Sequence, residues 1–286
     1  MNTTIQWYPG HMAKTKRNME ADLALVDMII EVVDARIPFS SRNPDLEPYC
    51  KKKCHVLLLN KMDLSDHPTS TQKWLNYYQK KGYIPAAVNA ARKQGVKNML
   101  AAIERASKPV QEKLKKRGFL QRPIRAMVIG IPNCGKSTVI NALAPSAAAK
   151  TGNKPGVTRG RQWIKTNAGI ELLDTPGMLW PRFASYDTAF KLAVCGSISD
   201  NVFPTYQVAC DLAMLLKEIA AEKLAERYKL DTLSNSGEEI LLDIARNRGL
   251  IGQGGKIREN DAAVLLIHEF RAGRIGNITL EQPPVE

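Results

Sequence analysis

The sequence predicts an α/β protein with a mostly parallel sheet, followed by an all-helical region. Short, β-branched apolar runs alternate with helical patterns in the first part of the chain, as in "DMIIEVVDAR" (27–36) and "HVLLLNKMD" (55–63). This alternation is typical of parallel sheets. After about residue 185 the strong patterns are all helical, as in "GEEILLDIARNRG" (237–249). We therefore expect two domains, residues 1–180 and residues 181–286.

The remaining elements follow from periodicity and from Gly or Pro stops. Four more strands are predicted at 83–90, 123–130, 160–166 and 170–177, and helices at 71–82, 95–118 and 136–144. The helix at 95–118 is expected to bend or break at Pro109. In the C-terminal region, helices are predicted at 186–196, 204–228, 237–249 and 259–276.

Positive charge is concentrated in the α/β part. The 286 residues carry a net charge of +13, and residues 1–179 hold 29 Lys/Arg against 13 Asp/Glu. Basic runs include Lys51–Lys53 and Lys80–Lys81. Such a field favours a polyanionic partner, although a set of solvated surface lysines is the alternative. Residues 180–286 hold 12 Lys/Arg against 15 Asp/Glu, but six of the basic residues fall within 246–274.

The composition also indicates where the protein works. No run of 18 apolar residues and no signal-peptide pattern is present, so we expect a cytoplasmic protein without a membrane span. Five cysteines form no paired framework, which favours reduced thiols. "CKKKCH" (50–55) lacks a second Cys/His pair at zinc-like spacing, so a metal site there is poorly supported.

A phosphate-binding loop is predicted at Gly130–Ser137, where "GIPNCGKS" lies between a strand and a helix. Glycines at this spacing let backbone N–H groups surround a phosphate, and the helix directs its N-terminus at the same group. Lys136 can reach the β- and γ-phosphate oxygens, and Ser137 can ligate Mg²⁺. The predicted nucleotide contacts in this loop are Asn133, Cys134, Gly135, Lys136, Ser137 and Thr138.

Two further motifs complete a magnesium and γ-phosphate site. "DTPG" (174–177) follows a predicted strand about 40 residues after the phosphate loop. Asp174 can hold Mg²⁺ through water, and the Gly177 N–H can contact the γ-phosphate. Thr158, in "PGVTRG" (155–160), is placed to complete the metal shell.

"NKMD" at the end of an apolar strand predicts a guanine-reading loop. Guanine presents two adjacent donors, and the carboxylate of Asp63 can accept both, whereas adenine would leave it buried and unpaired. Asn60 can support the loop, and the stem of Lys61 can cover the ring. Asn89 and Ala90 lie where a second base-contacting loop is expected.

The motif order is that of a GTPase sheet after circular permutation. The guanine loops precede the phosphate loop, and the helix at 95–118 would join the old termini. Permutation is tolerated where termini lie close together at the surface. The chain is therefore predicted to use GTP and GDP, with Mg²⁺ as cofactor.

The motifs together resemble the YlqF family of circularly permuted GTPases, the family of ribosome biogenesis GTPase A. The resemblance rests on "WYPGHMAK", "DARIPFSSRNP", "NKMDL", "GIPNCGKST", "PGVTRGRQW", "DTPGMLWP" and "FRAGRIGNITLE". It implies a monomer that hydrolyses GTP in late assembly of the large ribosomal subunit of the bacterial cytoplasm. It also implies a helical domain that contacts ribosomal RNA, with ribosomal proteins nearby.

The nucleotide motifs do not themselves supply a group that orients the attacking water. Many GTPases place a water-orienting Gln after DxxG, but here that position is Met178. The resemblance implies that His11 in "WYPGHMAK" lies near the nucleotide as the catalytic group. Lys136 and Gly177 are the other two predicted catalytic residues. The alternative is that His11 only caps a helix beginning near Ala13.

Two phosphate-loop residues also leave alternatives open. Asn133 either ligates K⁺ beside the phosphates or only hydrogen-bonds the loop. Cys134, near a helix N-terminus, is expected either to form a thiolate facing the nucleotide or to act as a small filler residue.

The segment "MLWPRF" (178–183) leads from DTPG into the helical domain. We expect contact between Gly177 and the γ-phosphate to reorient that domain, the alternative being a passive linker. Two other functions remain open: a nucleotide-gated ribosome-binding placeholder with negligible hydrolysis, and a GTPase acting on a protein or membrane partner.

Overall fold

Six strands form a single sheet in the α/β part of the chain. The computed structural model describes residues 21–50, 53–119, 122–144, 162–166, 169–180, 183 and 185–284. The strands are β1 (Met28–Asp34), β2 (Cys54–Asn60), β3 (Ile84–Val88), β4 (Ile124–Ile129), β5 (Gln162–Lys165) and β6 (Ile170–Asp174). Their spatial order is β3-β2-β1-β4-β6-β5. Every neighbouring pair is parallel except β5 and β6, so the prediction of a mostly parallel sheet is confirmed.

The strand order creates a crevice between β1 and β4. From β1 the chain proceeds outward to β2 and β3, and from β4 it proceeds outward on the other side. Ligands of open α/β sheets bind at such a reversal, outside the carboxyl ends of the strands. The ends of β1 and β4, Asp34 and Ile129, therefore mark the expected site.

Helices cover the sheet and build the C-terminal region. They are α1 (Glu47–Cys50), α2 (Thr69–Lys80), α3 (Val96–Lys116), α4 (Lys136–Leu143), α5 (Tyr186–Val194), α6 (Thr205–Ile219), α7 (Ala221–Tyr228), α8 (Gly237–Asn247) and α9 (Glu259–Arg271). In the C-terminal region α6 packs against α8 and α9, and α5 packs against α6. None of the described helices is long and apolar enough to cross a membrane.

The helices differ from the predicted ones at two places. Pro109 lies inside α3, which continues unbroken to Lys116. Buried Ala106, Val110 and Leu114 lie on both sides of Pro109 and anchor the helix there. The predicted helix at 204–228 is divided at Ala220, whose φ of −151° is not helical, and no Gly or Pro marks this break in the sequence.

The two parts of the chain share an apolar core. Alternate residues of the strands, such as Ile30 and Val128, belong to one buried cluster with residues of the C-terminal helices, such as Leu212 and Phe270. Leu179 and Trp180, which follow the DTPG segment, are members of the same cluster. The first residues of the connection, through Trp180, are therefore packed in the core.

The C-terminal tail returns to the α/β part. The N–H groups of Ile278 and Leu280 donate to the carbonyls of Leu64 and Arg36, at 3.0 and 2.8 Å. The carboxylate of Glu281 accepts from the backbone N–H of Phe39 at 2.8 Å. The division of the chain at residues 180 and 181 stays a prediction, but this tail lies against the loops that follow β1 and β2.

Candidate functional site

The loop after β4 approaches its neighbours so closely that glycine is required. A Cβ at Gly130, where φ is +152°, would lie 2.4 Å from the carbonyl oxygen of Val32. A Cβ at Gly135, where φ is +96°, would lie 2.2 Å from Nδ2 of Asn60. The backbone thus wraps tightly in the crevice beside β1 and β2, as a loop that surrounds a phosphate must.

Lys136 begins α4 and turns back over the loop. Its ammonium donates to the carbonyl oxygen of Ile131 at 2.8 Å, and the side chain is buried. Because that partner is a neutral carbonyl, the contact leaves the positive charge of Lys136 uncancelled. Ser137 and Thr138 follow in the first turn of α4.

The DTPG segment closes against this loop. A Cβ at Gly177 would lie 2.7 Å from the backbone N of Pro132 and 2.8 Å from Nζ of Lys136. The Met178 N–H donates to the carbonyl of Gly130 at 3.2 Å. Gly177 is therefore adjacent to the group predicted to hold the β- and γ-phosphates. Asp174, the last residue of β6, is buried.

Asn60 joins the two predicted base loops to the phosphate loop. Its Nδ2 donates to the carbonyl of Cys134 at 2.9 Å, and its Oδ1 accepts from the Ala90 N–H at 3.2 Å. Three motifs that are far apart in the sequence thus meet at one buried amide. Asn89 accepts from the Arg92 N–H at 3.1 Å and shapes its own loop.

Comparison with known proteins agrees with this geometry. A family model described as a 50S ribosome-binding GTPase matches residues 125–242. Ribosome biogenesis GTPase A of Bacillus cereus is 41% identical over 279 residues, covering 98% of this chain and 94% of that protein. Mitochondrial ribosome-associated GTPase 1 of Mus musculus is 32% identical over 297 residues, covering 97% and 90%.

The chain belongs to the ribosome biogenesis GTPase A family. The GNP-bound crystal structure of YlqF from T. maritima has a TM-score of 0.64 to this chain at 29% identity, covering 96% of this chain and 100% of that one. The protein is thus a GTPase with a circularly permuted P-loop fold.

The GTPase carries a buried charge network beside its guanine loop. Lys61, in the left-handed region with φ of 59°, donates to Oδ2 of Asp34 at 3.0 Å. Arg36 donates to both oxygens of the same carboxylate, at 2.9 and 2.7 Å. Burial alone would raise the pKa of Asp34, but the charges of Arg36 and Lys61 outweigh it and hold the pKa well below its usual range. Asp63 follows in a half-buried turn.

Sequence analysis did not assign Asp34 and Arg36 to the site. Arg36 also reaches the helical region, since its Nη2 lies 3.4 Å from the carbonyl of Cys195 and its guanidinium lies 5.5 Å from the ring centre of Phe270. An acidic residue at the end of a buried strand, at the edge where the other motifs converge, is the sequence signal that could have identified Asp34.

The burial of Cys134 bears on both expectations for that residue. Its side chain is fully buried among apolar residues, and burial raises the pKa of its thiol. The expected thiolate is therefore disfavoured, because burial outweighs the nearby charges of Lys136 and Lys61, which lower the pKa. A Cβ at Gly130 would lie 2.9 Å from its sulfur, so Cys134 fills space beneath the loop.

The Asn133 side chain contacts the helical region. Its Nδ2 donates to the carbonyl of Gly196 at 3.2 Å, and its backbone is left-handed with φ of 60°. Neither of the two sequence-based alternatives included this contact. His11 and Thr158 lie outside the described residues, so their assignments stay predictions.

Magnesium fits the oxygen donors of this crevice. GTPases use Mg²⁺ to neutralise phosphate charge, and the ion prefers oxygen ligands such as the Ser137 hydroxyl and the Asp174 carboxylate. Within the described part of the chain, no group of three or more His, Cys, Asp or Glu residues forms a metal cluster.

Proposed function

We propose that this GTPase hydrolyses GTP during late assembly of the bacterial large ribosomal subunit, where it binds ribosomal RNA near ribosomal proteins. The names of its relatives and the net charge of +16 in residues 1–179 support a ribosomal partner. The observation that carries the GTP chemistry is the contact of Asn60 with both Cys134 and Ala90, which joins the guanine and phosphate loops. The protein acts in the cytoplasm as a monomer.

Each group of the crevice has a role in the proposed reaction. Lys136 and the loop N–H groups hold the phosphates, and Gly177 offers its N–H to the γ-phosphate. Ser137, Asp174 and Thr158 would hold Mg²⁺, which supplies charge neutralisation at the bridging oxygens. The amide oxygen of Asn133 is the atom that would ligate K⁺. Comparison of hydrolysis rates in K⁺ and in Na⁺ tests this role.

A placeholder with negligible hydrolysis is the second candidate, and Met178 favours it. This residue stands where many GTPases have a water-orienting Gln, and it is packed with Ile129 and Leu173 in a buried cluster. Met178 therefore offers no polar side chain that could orient the attacking water, so catalysis needs a group from another position.

His11→Ala is expected to separate the two candidates. If His11 orients the attacking water, the variant keeps its affinity for GTP and loses roughly 10²-fold or more of the hydrolysis rate stimulated by large subunits. Phosphate release is measured over many turnovers with and without subunits, and cosedimentation reports subunit binding. His268→Ala, an exposed histidine on α9, is the control. A wild-type stimulated rate in His11→Ala would remove His11 from the mechanism, and absence of turnover in the wild type would favour the placeholder.

We also propose that the nucleotide state changes the orientation of the helical region. Two paths support this proposal: the buried segment Met178–Trp180 after Gly177, and the adjacent carbonyls of Cys195 and Gly196, which contact Arg36 and Asn133. Solution scattering with GDP and with a non-hydrolysable GTP analogue is expected to give different interdomain distances. Identical distances would leave these paths as passive packing.

A further inference from the structure

A second cavity lies at the opposite edge of the sheet from the nucleotide crevice. It has a volume of about 700 Å³ and is lined by residues at the amino ends of β2 and β3, including His55, Tyr83 and Ile84. Cys54 and Ile84 begin β2 and β3, so this part of the lining lies about 20 Å, one strand length, from the carboxyl ends of these strands. Phe39, in the loop that follows β1, also lines the cavity. Among the described residues, none of those assigned to GTP lines it.

The lining combines aromatic rings with lysines. Phe39 is 57% exposed, and Tyr77 and Tyr83 are half-buried. Lys53 and Lys81 also line the cavity, and Nζ of Lys81 lies 5.6 Å from the ring centre of Tyr77. Lys53 and Lys81 each belong to one of the two basic runs noted in the sequence, and both line this cavity.

A buried ionic network fixes the floor of this cavity. Arg42 donates to both oxygens of buried Glu31 and, at 3.0 Å, to the hydroxyl of Tyr83. Its guanidinium lies 4.6 Å from the ring centre of Tyr83, and His55 lies 3.0 Å from Oε2 of Glu31. Glu31 compensates the charge of Arg42, so Arg42 positions the Tyr83 ring. Nζ of Lys53 donates to the carbonyl of Val26 at 2.5 Å, and Lys53 and Lys81 add positive charge to the lining.

We propose that this cavity binds an unpaired nucleotide of RNA, with its base against the aromatic rings and the adjoining phosphates on Lys53 and Lys81. The volume falls within the usual range of about 300–1,000 Å³ for ligand sites. Proteins bind single-stranded RNA by stacking bases on aromatic side chains beside a basic surface. The proposal rests on the ribosomal function proposed above and adds a contact site to it.

RNA fits these groups better than an acidic protein segment does. Lysines alone would suit either polyanion, but exposed Phe39 and half-buried Tyr77 add flat apolar surface between the two charges. A base has two faces that can stack on such rings, whereas an acidic side chain has none.

Phe39→Ala and Lys81→Glu are expected to weaken RNA binding, and each has a matched control. A 12-nucleotide oligouridine with a fluorescent label is titrated with the full chain, and anisotropy gives Kd. We expect each variant to raise Kd about tenfold, within the range that alanine scanning gives for one stacked base. The controls are Phe119→Ala, 53% exposed, and Lys108→Glu, exposed on α3, which are expected to keep the wild-type Kd. Affinity for GDP and the melting temperature are measured to verify folding.

The proposal is overturned if Kd for oligouridine is unchanged in both variants, or if both controls raise Kd as much as the variants do. It is also overturned if a variant cosediments more weakly with subunits while its Kd for oligouridine is unchanged. The last outcome indicates a protein partner at this cavity. Failure of the proposed ribosomal function gives a different result, because the wild type would then bind oligouridine but not sediment with large subunits.

Discussion

Asp63→Asn is expected to lose GTP and gain xanthosine triphosphate. Guanine offers N1–H and an exocyclic amino group to the Asp63 carboxylate, whereas xanthine has an oxygen in place of that amino group. The amide N–H of Asn can donate to this oxygen of xanthine. In guanine the same N–H meets the exocyclic amino group, which is also a donor. A site built to hydrogen-bond a particular group discriminates by about 10⁴-fold or more, because buried polar groups are otherwise left unsatisfied.

The structure gives this experiment a matched control in the same loop. Asp63 follows Lys61, and the Asn60 side chain ties their loop to the phosphate loop. Asp66 is three residues later, and its carboxylate accepts from the Ser70 hydroxyl at 2.9 Å. Affinities for GTP and xanthosine triphosphate are measured for Asp63→Asn and Asp66→Asn. Only Asp63→Asn should change its preference from GTP to xanthosine triphosphate. If it still prefers GTP, another residue contacts the base.

The sequence was sufficient for the sheet and the nucleotide motifs because both depend on local patterns. β1, β2 and β4 are buried on both faces, which leaves near-continuous apolar runs in the sequence. The glycines at 130 and 135 are required by a close backbone approach, so the loop has a recognisable spacing. The order of these motifs then predicted the permutation.

The sequence did not predict contacts that join distant segments. The ion pair of Asp34 with Lys61 and the contact of Arg36 with Cys195 depend on the register of β1 and β2 and on the packing of the helical region. The tail at 278–281 has no periodicity that reveals its contacts with Leu64 and Arg36. The thiolate expected at Cys134 was inferred from its neighbours in the sequence, whereas burial of the side chain raises the pKa of its thiol.

Two lysines lie at the carboxyl edge of the sheet, and their surroundings distinguish their roles. Lys61 donates to the carboxylate of Asp34, so its ammonium is engaged in an ion pair that it shares with Arg36. Lys136 donates to the carbonyl of Ile131, a neutral group that a phosphate oxygen can replace without loss of an ion pair. The attraction of this site for triphosphate is therefore expected to come chiefly from Lys136.

Lys136→Met is expected to raise the Kd for GTP roughly 30- to 5,000-fold, because removal of one partner of a buried charge pair costs about 2–5 kcal/mol. Methionine keeps most of the apolar stem, which packs in a buried position, so the fold should persist. Lys61→Met removes the same charge from the same edge and is the matched control. Its loss is expected to be smaller, since Arg36 still compensates Asp34. Kd is measured for GTP at fixed Mg²⁺, and equal losses in the two variants would show that Lys136 is not the chief source of attraction for the triphosphate.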